Sequence, residues 1–394
     1  MILKKNINPY SIFTFLLLIS VVFSETFFMN TSLVYLSLII FFLLINLGKL
    51  KFDNFEIISL LLLSIYLSLV IVLAKNPESI LNNCKYYFSF IFFIMFFKIY
   101  PIDKNFIKYL KLILMACVIF VFLDAVIINF FPQLELHEEI HTAKFFGFYK
   151  RPPGFAGNSS ISSTFMLFAY LILIKVYAVK FKKIEQLLFY LSIFLLFSST
   201  GFLLMIITFF LLNYEHGKLS SYAMLLIFGV FIFLVFFITG NINPNFAQKI
   251  SIEYFYYIFR EKMFYINNFY LGREFIISSL QDLYFMEKFE NLFFNHYEVS
   301  NIFGRQLYAS HSNTSGDNGI LGVIEIIGLF GAFCILTIVI AFTKYFKNNF
   351  LYILLIIFIS LHYGFIFTNV GNLIFAIILT NNLRPHNKYK IIND

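Results

Sequence analysis

Charged residues are scarce in this sequence and tryptophan is absent, and the low charge restricts the class of protein to which the chain can belong. Only 13% of its 394 residues are charged and Trp is absent, whereas 60% are hydrophobic and 58 are Phe. A soluble domain of this length would carry far more charge, so the composition excludes an ordinary globular protein. The excess of Phe, Ile, Asn and Lys is typical of AT-rich coding sequence rather than of a particular function.

Cysteine is also rare, which argues against a disulfide framework or a cysteine-based metal site. Cys84, Cys117 and Cys334 lie far apart, and two of them fall within apolar runs. Their spacing is not that of metal ligands, so we expect them to be packing residues. A small-residue cleavage site is missing after the first apolar run, so we expect the first helix to be retained.

Hydrophobic runs of about 17 residues or more recur along the chain, as a bilayer core about 30 Å thick requires of a spanning helix. Alternating barrel patterns are absent, and a backbone inside lipid must satisfy its own hydrogen bonds, so these runs are predicted helices. The predicted class is an all-α polytopic membrane protein with one integral membrane domain over residues 1–394. The predicted spans are 10–23, 31–47, 56–73, 83–97, 110–131, 160–179, 185–198, 201–213, 221–239, 318–342, 350–367 and 370–380.

Residues 187–212 decide the topology, because they form either one over-long helix or two short helices with a turn at residues 198–201. Lys and Arg concentrate in the cytoplasmic loops of membrane proteins. If residues 187–212 form two helices, Lys218, Lys347 and the basic C-terminal tail lie on the same, cytoplasmic side as Lys4. If they form one helix, all of these charges lie on the outer side. We therefore predict twelve spans with both termini in the cytoplasm. The turn is predicted to lie below the outer surface and to line a cavity.

The net charge of +8 does not by itself indicate a nucleic-acid partner. Much of the positive charge lies beside apolar runs, which is typical of membrane orientation and of contact with anionic lipid head groups. We expect membrane lipids, and no nucleic acid, as partners.

Two polar segments interrupt the apolar runs, at residues 132–159 and 240–317. The predicted topology puts both on the outer face. A plain helix bundle needs no such segments, so we expect recognition or chemistry in them, at a site above a membrane cavity.

Arginines beside glycine or proline stand out in these two loops. Arg151 precedes Pro152-Pro153-Gly154, Arg273 follows a Gly, and Arg305 follows another, while Arg260 lies in the same long loop. A guanidinium next to a turn suits bidentate binding of a phosphate or a carboxylate. Any one of them is equally compatible with an ordinary surface residue, but together they suggest an anionic ligand at the membrane surface, such as a lipid-linked pyrophosphate.

The long loop ends in His311 and Asp317, at the entrance to a helix that carries Glu325. Either residue is a candidate to act as a general base or to orient an acceptor hydroxyl. Asp317 is equally explained as a helix N-cap.

The run from Arg151 to Asn158 before a helix resembles the first outer-loop signature of the O-antigen polymerase and O-antigen ligase families. The second outer-loop signature of these families resembles a set of features in the long loop: Leu271-Gly272-Arg273, a Phe-Gly step at Gly304, His311 and a Gly-rich helix start.

This resemblance implies an enzyme that joins undecaprenyl-pyrophosphate-linked oligosaccharides at the outer face of a bacterial inner membrane, without a metal or other cofactor. Donor and acceptor glycans would be its substrates, and a chain-length regulator protein would be a partner. By position, Arg151 and Arg273 would hold the pyrophosphate, Asn158 would contact substrate, and His311 would act near the acceptor. The turn at 198–201 lacks the Arg common in ligases, which favours a polymerase.

His137-Glu138-Glu139-Ile140-His141 is a literal H-E-x-x-H sequence, the spacing of a zinc protease motif. It lies in a short loop near prolines and has no third ligand in a second motif. We therefore predict no metal site and treat Glu138 and Glu139 as candidate bases at the sugar site.

The non-enzyme alternative is a transporter or a lipid flippase. Such proteins carry polar residues near mid-membrane. Here Asp124 and Glu325 are exceptions in spans that otherwise nearly lack charge.

Overall fold

The computed structural model describes residues 9–24, 31–73, 89–131, 144–145, 149–214, 302–304, 319–343, 345–362 and 365–383. Within these ranges the chain is helical apart from short connections and one pair of two-residue strands. The helices are α1 (Pro9–Val22), α2 (Thr31–Ile45), α3 (Asn54–Leu73), α4 (Ser89–Ile99), α5 (Lys104–Phe130), α6 (Ser159–Leu171), α7 (Lys183–Leu196), α8 (Ser199–Tyr214), α9 (Gly319–Phe342), α10 (Phe350–His362) and α11 (Asn369–Thr380).

The helical class is confirmed for the described residues. Three helices there are long and apolar enough to cross a membrane, namely Asn54–Leu73, Lys104–Phe130 and Ser159–Val176, and several shorter apolar helices accompany them. The predicted span 221–239 lies outside the described residues. Because most of the described helices are shorter than a bilayer core requires, the count of twelve stays a prediction.

The first polar loop contains a small hairpin that the sequence did not indicate. Strands β1 (Lys144–Phe145) and β2 (Tyr149–Lys150) pair antiparallel, with Lys144 opposite Lys150 and Phe145 opposite Tyr149. Two residues per strand leave no alternating pattern that the sequence could reveal.

Local side chains set where several helices begin. Asp103 Oδ1 accepts the N–H of Phe106 at 2.8 Å before α5, and Thr368 Oγ1 accepts the N–H of Gly371 at 3.1 Å before α11. These bonds satisfy backbone N–H groups that the first helical turn leaves without partners.

The chain does turn back between α7 and α8, as the distribution of lysines predicts. Helix α7 ends at Leu196, Phe197 adopts a left-handed conformation (φ 44°), and α8 begins at Ser199. The predicted position of the turn was wrong: residues 199–201 form the first turn of α8, and Ser198 is buried against α6 instead of lining an open cavity. Polar Ser and Thr side chains suit a helix start as well as a loop, so composition alone did not separate the two.

Helix α6 is the centre of the bundle. Of its membrane-length segment Ser159–Val176, 83% is buried, compared with 28% for α3. It contacts α5, α7, α8 and α11. Tyr170 stacks on Phe189 of α7 with ring centroids 4.2 Å apart, and Phe168 stacks on Phe365 before α11.

An ion pair between a buried carboxylate and a partly exposed ammonium defines one end of the bundle. Glu56 of α3 pairs with Lys98 of α4, and the Lys98 ammonium lies over the rings of Phe52 and Phe342. We call this the Lys98 end, and the opposite end, where α6 begins, the Asn158 end. The Lys175 side chain at the far end of α6 donates to the Leu211 carbonyl of α8, so α8 runs back towards the Lys98 end.

Candidate functional site

The loop that carries Arg151 is held by the last turns of α5. The Asn129 Oδ1 accepts the N–H of Lys150 at 2.7 Å, and its Nδ2 donates to the Lys150 carbonyl at 2.9 Å. Arg151 therefore directly follows a residue that is fixed through both of its backbone polar groups. Its side chain is half-buried.

A buried carboxylate holds the same loop four residues further on. Asp124, which is 1% exposed, accepts the N–H of Gly154 through Oδ2 at 2.8 Å. Gly154 has φ +74°, and a Cβ there would lie 2.8 Å from Ser162 Oγ and 3.0 Å from Leu196 Cδ2. Both the backbone conformation and the close packing therefore require glycine at this position.

The end of the first polar loop is built into the protein core. Pro152 and Pro153 are buried, and Phe155 is fully buried. The Phe155 ring lies 5.6 Å from that of Phe165 and 6.0 Å from that of Phe23, both edge-on. Aromatic contacts of this kind add to the apolar burial and keep the loop in one position.

Two side chains organise the passage from loop to helix. Ser162 Oγ donates to the Pro153 carbonyl at 3.0 Å and accepts the N–H of Ala156 at 3.1 Å. Asn158 Oδ1 accepts the N–H groups of Ser160 at 2.8 Å and Ile161 at 3.3 Å, and so acts as the N-cap of α6. The structure thus assigns the amide oxygen of Asn158 a capping contact.

Two helix N-termini meet at this point. Ser160 in the first turn of α6 lies with its Oγ 2.9 Å from that of Ser198, and Ser198 Oγ in turn accepts the N–H of Gly201 at the start of α8. A Cβ on Gly201 would lie 2.7 Å from Ser163 Oγ, so glycine permits this close approach. Each helix start carries roughly half a positive charge from its peptide dipoles, so the electrostatic potential here favours an anion.

The Ser159 hydroxyl is buried at this point without a hydrogen-bond partner among the described residues. The residue is 2% exposed. A buried hydroxyl left unsatisfied costs about 1–3 kcal/mol, so such a group calls for a ligand or water that satisfies it.

The described part of the second polar loop, residues 302–304, packs against an interruption in α9. Gly328 leaves the helical conformation (φ 73°, ψ 173°), and a Cβ there would collide with the backbone of Ile302 and Gly304. The Tyr66 hydroxyl of α3 donates to the Ile327 carbonyl at 2.7 Å, which satisfies an acceptor next to the interruption. The Phe-Gly step at Gly304 is therefore a close backbone contact between loop and helix.

Arg151 and Asn158 are the predicted site residues that the structure describes, and they stand at the two ends of one rigid loop. The other predicted site residues lie outside the described ranges: Glu138, Glu139, Arg260, Arg273, Arg305, His311 and Asp317. The sequence His137 to His141 also lies outside them. Within the described residues, no group of three His, Cys, Asp or Glu side chains is placed to hold a metal ion.

Sequence reasoning overlooked the side chains that hold the Arg151 loop. Asp124 and Asn129 lie in an apolar helix, where a buried polar group needs a specific partner. Their presence in an apolar helix therefore signalled a structural role. The partners lie 30 and 21 residues away along the chain and could not be identified from spacing.

Comparison with known proteins does not assign this chain to a family: no model of a protein family matches it, and no curated protein or solved structure shows significant similarity to it.

Proposed function

We propose that this protein is a membrane glycosyltransferase that joins lipid-linked oligosaccharide repeats, an O-antigen polymerase in type. Donor and acceptor are undecaprenyl-pyrophosphate-linked glycans at the outer face of a bacterial inner membrane. The observation that carries the proposal is the convergence of two helix N-termini, at Ser160 and Ser198, behind the loop that presents Arg151.

That arrangement matches the chemistry of a pyrophosphate. The helix starts favour negative charge, and an Arg guanidinium binds phosphate oxygens in a bidentate manner. The hydroxyl of Ser159 adds a donor among them. Apolar helices long enough to cross a membrane would hold the polyprenyl tail beside the site.

In the proposed reaction a hydroxyl oxygen of the acceptor glycan attacks the anomeric carbon of the donor. The bond from that carbon to the pyrophosphate oxygen breaks, the lipid pyrophosphate leaves with the bonding electrons, and a base takes the hydroxyl proton. Because the leaving group is already good, the reaction asks for a base more than an acid. His311 is our candidate, with Glu138, Glu139 and Asp317 as alternatives, and Arg260, Arg273 and Arg305 would complete the anion site.

An O-antigen ligase would use the same donor site with a different acceptor. A lipid-linked-glycan flippase is a second candidate, favoured by the interruption of α9 at Gly328. Discontinuous helices often surround the substrate in transporters.

Deletion of the gene separates these three activities by the glycan that accumulates. Loss of a polymerase leaves single repeats on the outer face, and loss of a ligase leaves finished polymer on its lipid carrier. Loss of a flippase leaves lipid-linked repeats on the cytoplasmic face. Accumulation of either of the last two would refute the polymerase proposal.

Arg151 variants test the site within the complemented deletion strain. Arg151→Lys keeps the charge but loses the planar fork, so we expect both Arg151→Lys and Arg151→Ala to reduce polymer formation by about tenfold or more. Polymer is measured by gel separation of the glycans at matched protein level. Lys108→Ala, which removes an exposed cation near the other end of α5, is the control and should leave polymer formation unchanged. Normal polymer in both Arg151 variants would remove Arg151 from the site.

A further inference from the structure

Helix α5 places two polar side chains on the loop that carries Arg151. Asn129 binds both polar groups of Lys150, and Asp124 accepts the N–H of Gly154. Arg151 lies between these two anchors, and Pro152 and Pro153 complete the short bridge. The position of the Arg151 backbone is therefore set by α5, together with the bond from Ser162 of α6 to the Pro153 carbonyl.

We propose that Asp124 is a positioning residue that fixes the loop and thereby presents the Arg151 guanidinium to an anionic ligand. The proposal rests on the proposed function for the identity of that ligand. The anchoring itself can be tested without it.

The environment of Asp124 suits this role. The Asp124 Oδ2 lies 2.8 Å from the Gly154 nitrogen, the distance of a well-formed N–H···O bond. Asp124 is 1% exposed, so loss of the Gly154 N–H from its Oδ2 would be costly, and the loop and the carboxylate stabilise each other. Gly154 supplies the N–H from a left-handed backbone conformation that positions Pro153 against Ser162.

A role as general base is the competing explanation for a buried carboxylate near this site. A base has to reach the acceptor hydroxyl, whereas Asp124 already bonds the loop backbone through Oδ2. The two roles differ in what they require. Positioning needs an acceptor atom at this place, and proton transfer needs the ionisable carboxylate. The Asp124→Asn variant keeps an acceptor in its amide oxygen but loses the ionisable group, so it separates the two roles.

The anchoring of residues 150–154 to α5 can be measured by limited proteolysis of the full-length protein in detergent. Trypsin cleaves after Lys150, but the Arg151–Pro152 bond resists it, so a fragment beginning at Arg151 reports opening of the anchored segment. Local opening exposes such bonds to protease. We expect Asp124→Leu to raise the rate of cleavage after Lys150 by about tenfold. Asp124→Asn should leave it within about threefold of wild type.

Asp103→Leu is the matched control. Asp103 lies at the other end of the same helix and also accepts a backbone N–H, that of Phe106. Tyr100 donates to it at 2.9 Å, and burial together with this bond raises the pKa of Tyr100 to about 12. Loss of this cap should leave cleavage after Lys150 unchanged.

Polymer formation completes the test. If Asp124 acts through Arg151, Asp124→Leu should lower polymer formation by about tenfold or more, and the double variant with Arg151→Ala should be no less active than Arg151→Ala alone. Asp124→Asn should keep most of the activity.

Loss of activity in Asp124→Asn with an intact loop would overturn the positioning role in favour of a role in proton transfer. Unchanged cleavage in Asp124→Leu would also overturn it. If Arg151→Ala makes normal polymer while Asp124→Leu still opens the loop, the anchoring stands but the presentation of Arg151 to the ligand is overturned. Failure of the proposed function is seen separately, as an accumulated glycan in the deletion strain that is not the single lipid-linked repeat on the outer face.

Discussion

Arg151 and Asn158 were predicted as site residues because their types suit the binding of an anion, whereas the roles of their neighbours could not be predicted. The Arg-Pro-Pro-Gly run signals a rigid turn, and the structure does contain one. Asn158 satisfies an elementary need of α6 for a cap, so its presence before a helix is explained without any ligand. Ser159 and Ser162 look alike in the sequence, yet one is without a described partner and the other joins two backbone groups.

The contrast between these serines gives a prediction. Ser159→Ala removes a buried hydroxyl without a partner among the described residues, so the free energy of unfolding should not fall and should rise by up to about 1–3 kcal/mol. Ser162→Ala breaks two bonds that shape the loop and should cost about 1–3 kcal/mol. Both are measured by thermal unfolding in detergent.

The same two variants differ in ligand binding if Ser159 belongs to the anion site. Ser159→Ala should then weaken binding of a lipid pyrophosphate about tenfold without loss of stability, with the binding measured by calorimetry. Unchanged affinity would exclude Ser159 from the site.

Among the helices, the discontinuity in α9 has a clear physical cause that the sequence concealed. Gly328 lies in an apolar run that reads as one uninterrupted span, and glycine there is compatible with a continuous helix. The close approach of residues 302–304 makes the interruption necessary, because a regular helix has no room for that backbone. The predicted span 350–367 was too long: α10 ends at His362, and Phe365–Phe367 forms a separate turn before α11.

Tyr66 tests how this interruption is stabilised. Tyr66→Phe keeps the ring packing but removes the donor to the Ile327 carbonyl, so we expect it to lower the free energy of unfolding by about 1–2 kcal/mol. Ser64→Ala on the same helix loses only an exposed local bond to Leu60 and should be neutral. Equal stability of the two variants in thermal unfolding would show that the Tyr66 bond contributes nothing.

For the molecule as a whole, the described parts of the two polar loops lie away from the Lys98 end. The described part of the first loop lies at the Asn158 end. The described part of the second contacts Gly328, about 21 Å along α9 from Phe342 at the Lys98 end. That both loops face outward is still a prediction from the lysines. Ser159 is unsuitable as a reporter of sidedness because it is buried, although the sequence places it at the end of an outer loop.

Sidedness can be measured by cysteine labelling in a variant without the three native cysteines. A cysteine replacing Phe131, which is 48% exposed at the Asn158 end, should react with an impermeant reagent from outside, as should one replacing Ser300 in the long loop. A cysteine at the exposed Lys183, near the Lys98 end, should react only after permeabilisation. Reaction at Phe131 and Ser300 from opposite sides would refute a shared outer site.

The sequence by itself determined the helical class, the approximate limits of most helices and the reversal between α7 and α8. These depend on hydropathy and on the placement of charge, which are properties of continuous segments. Only the tertiary structure decided that Asp124, Asn129, Ser162 and Ser198 meet around one loop, that residues 199–201 are helical, and that Gly328 interrupts α9. These features depend on hydrogen bonds and close backbone contacts between helices, whose rotation and depth the apolar pattern leaves open.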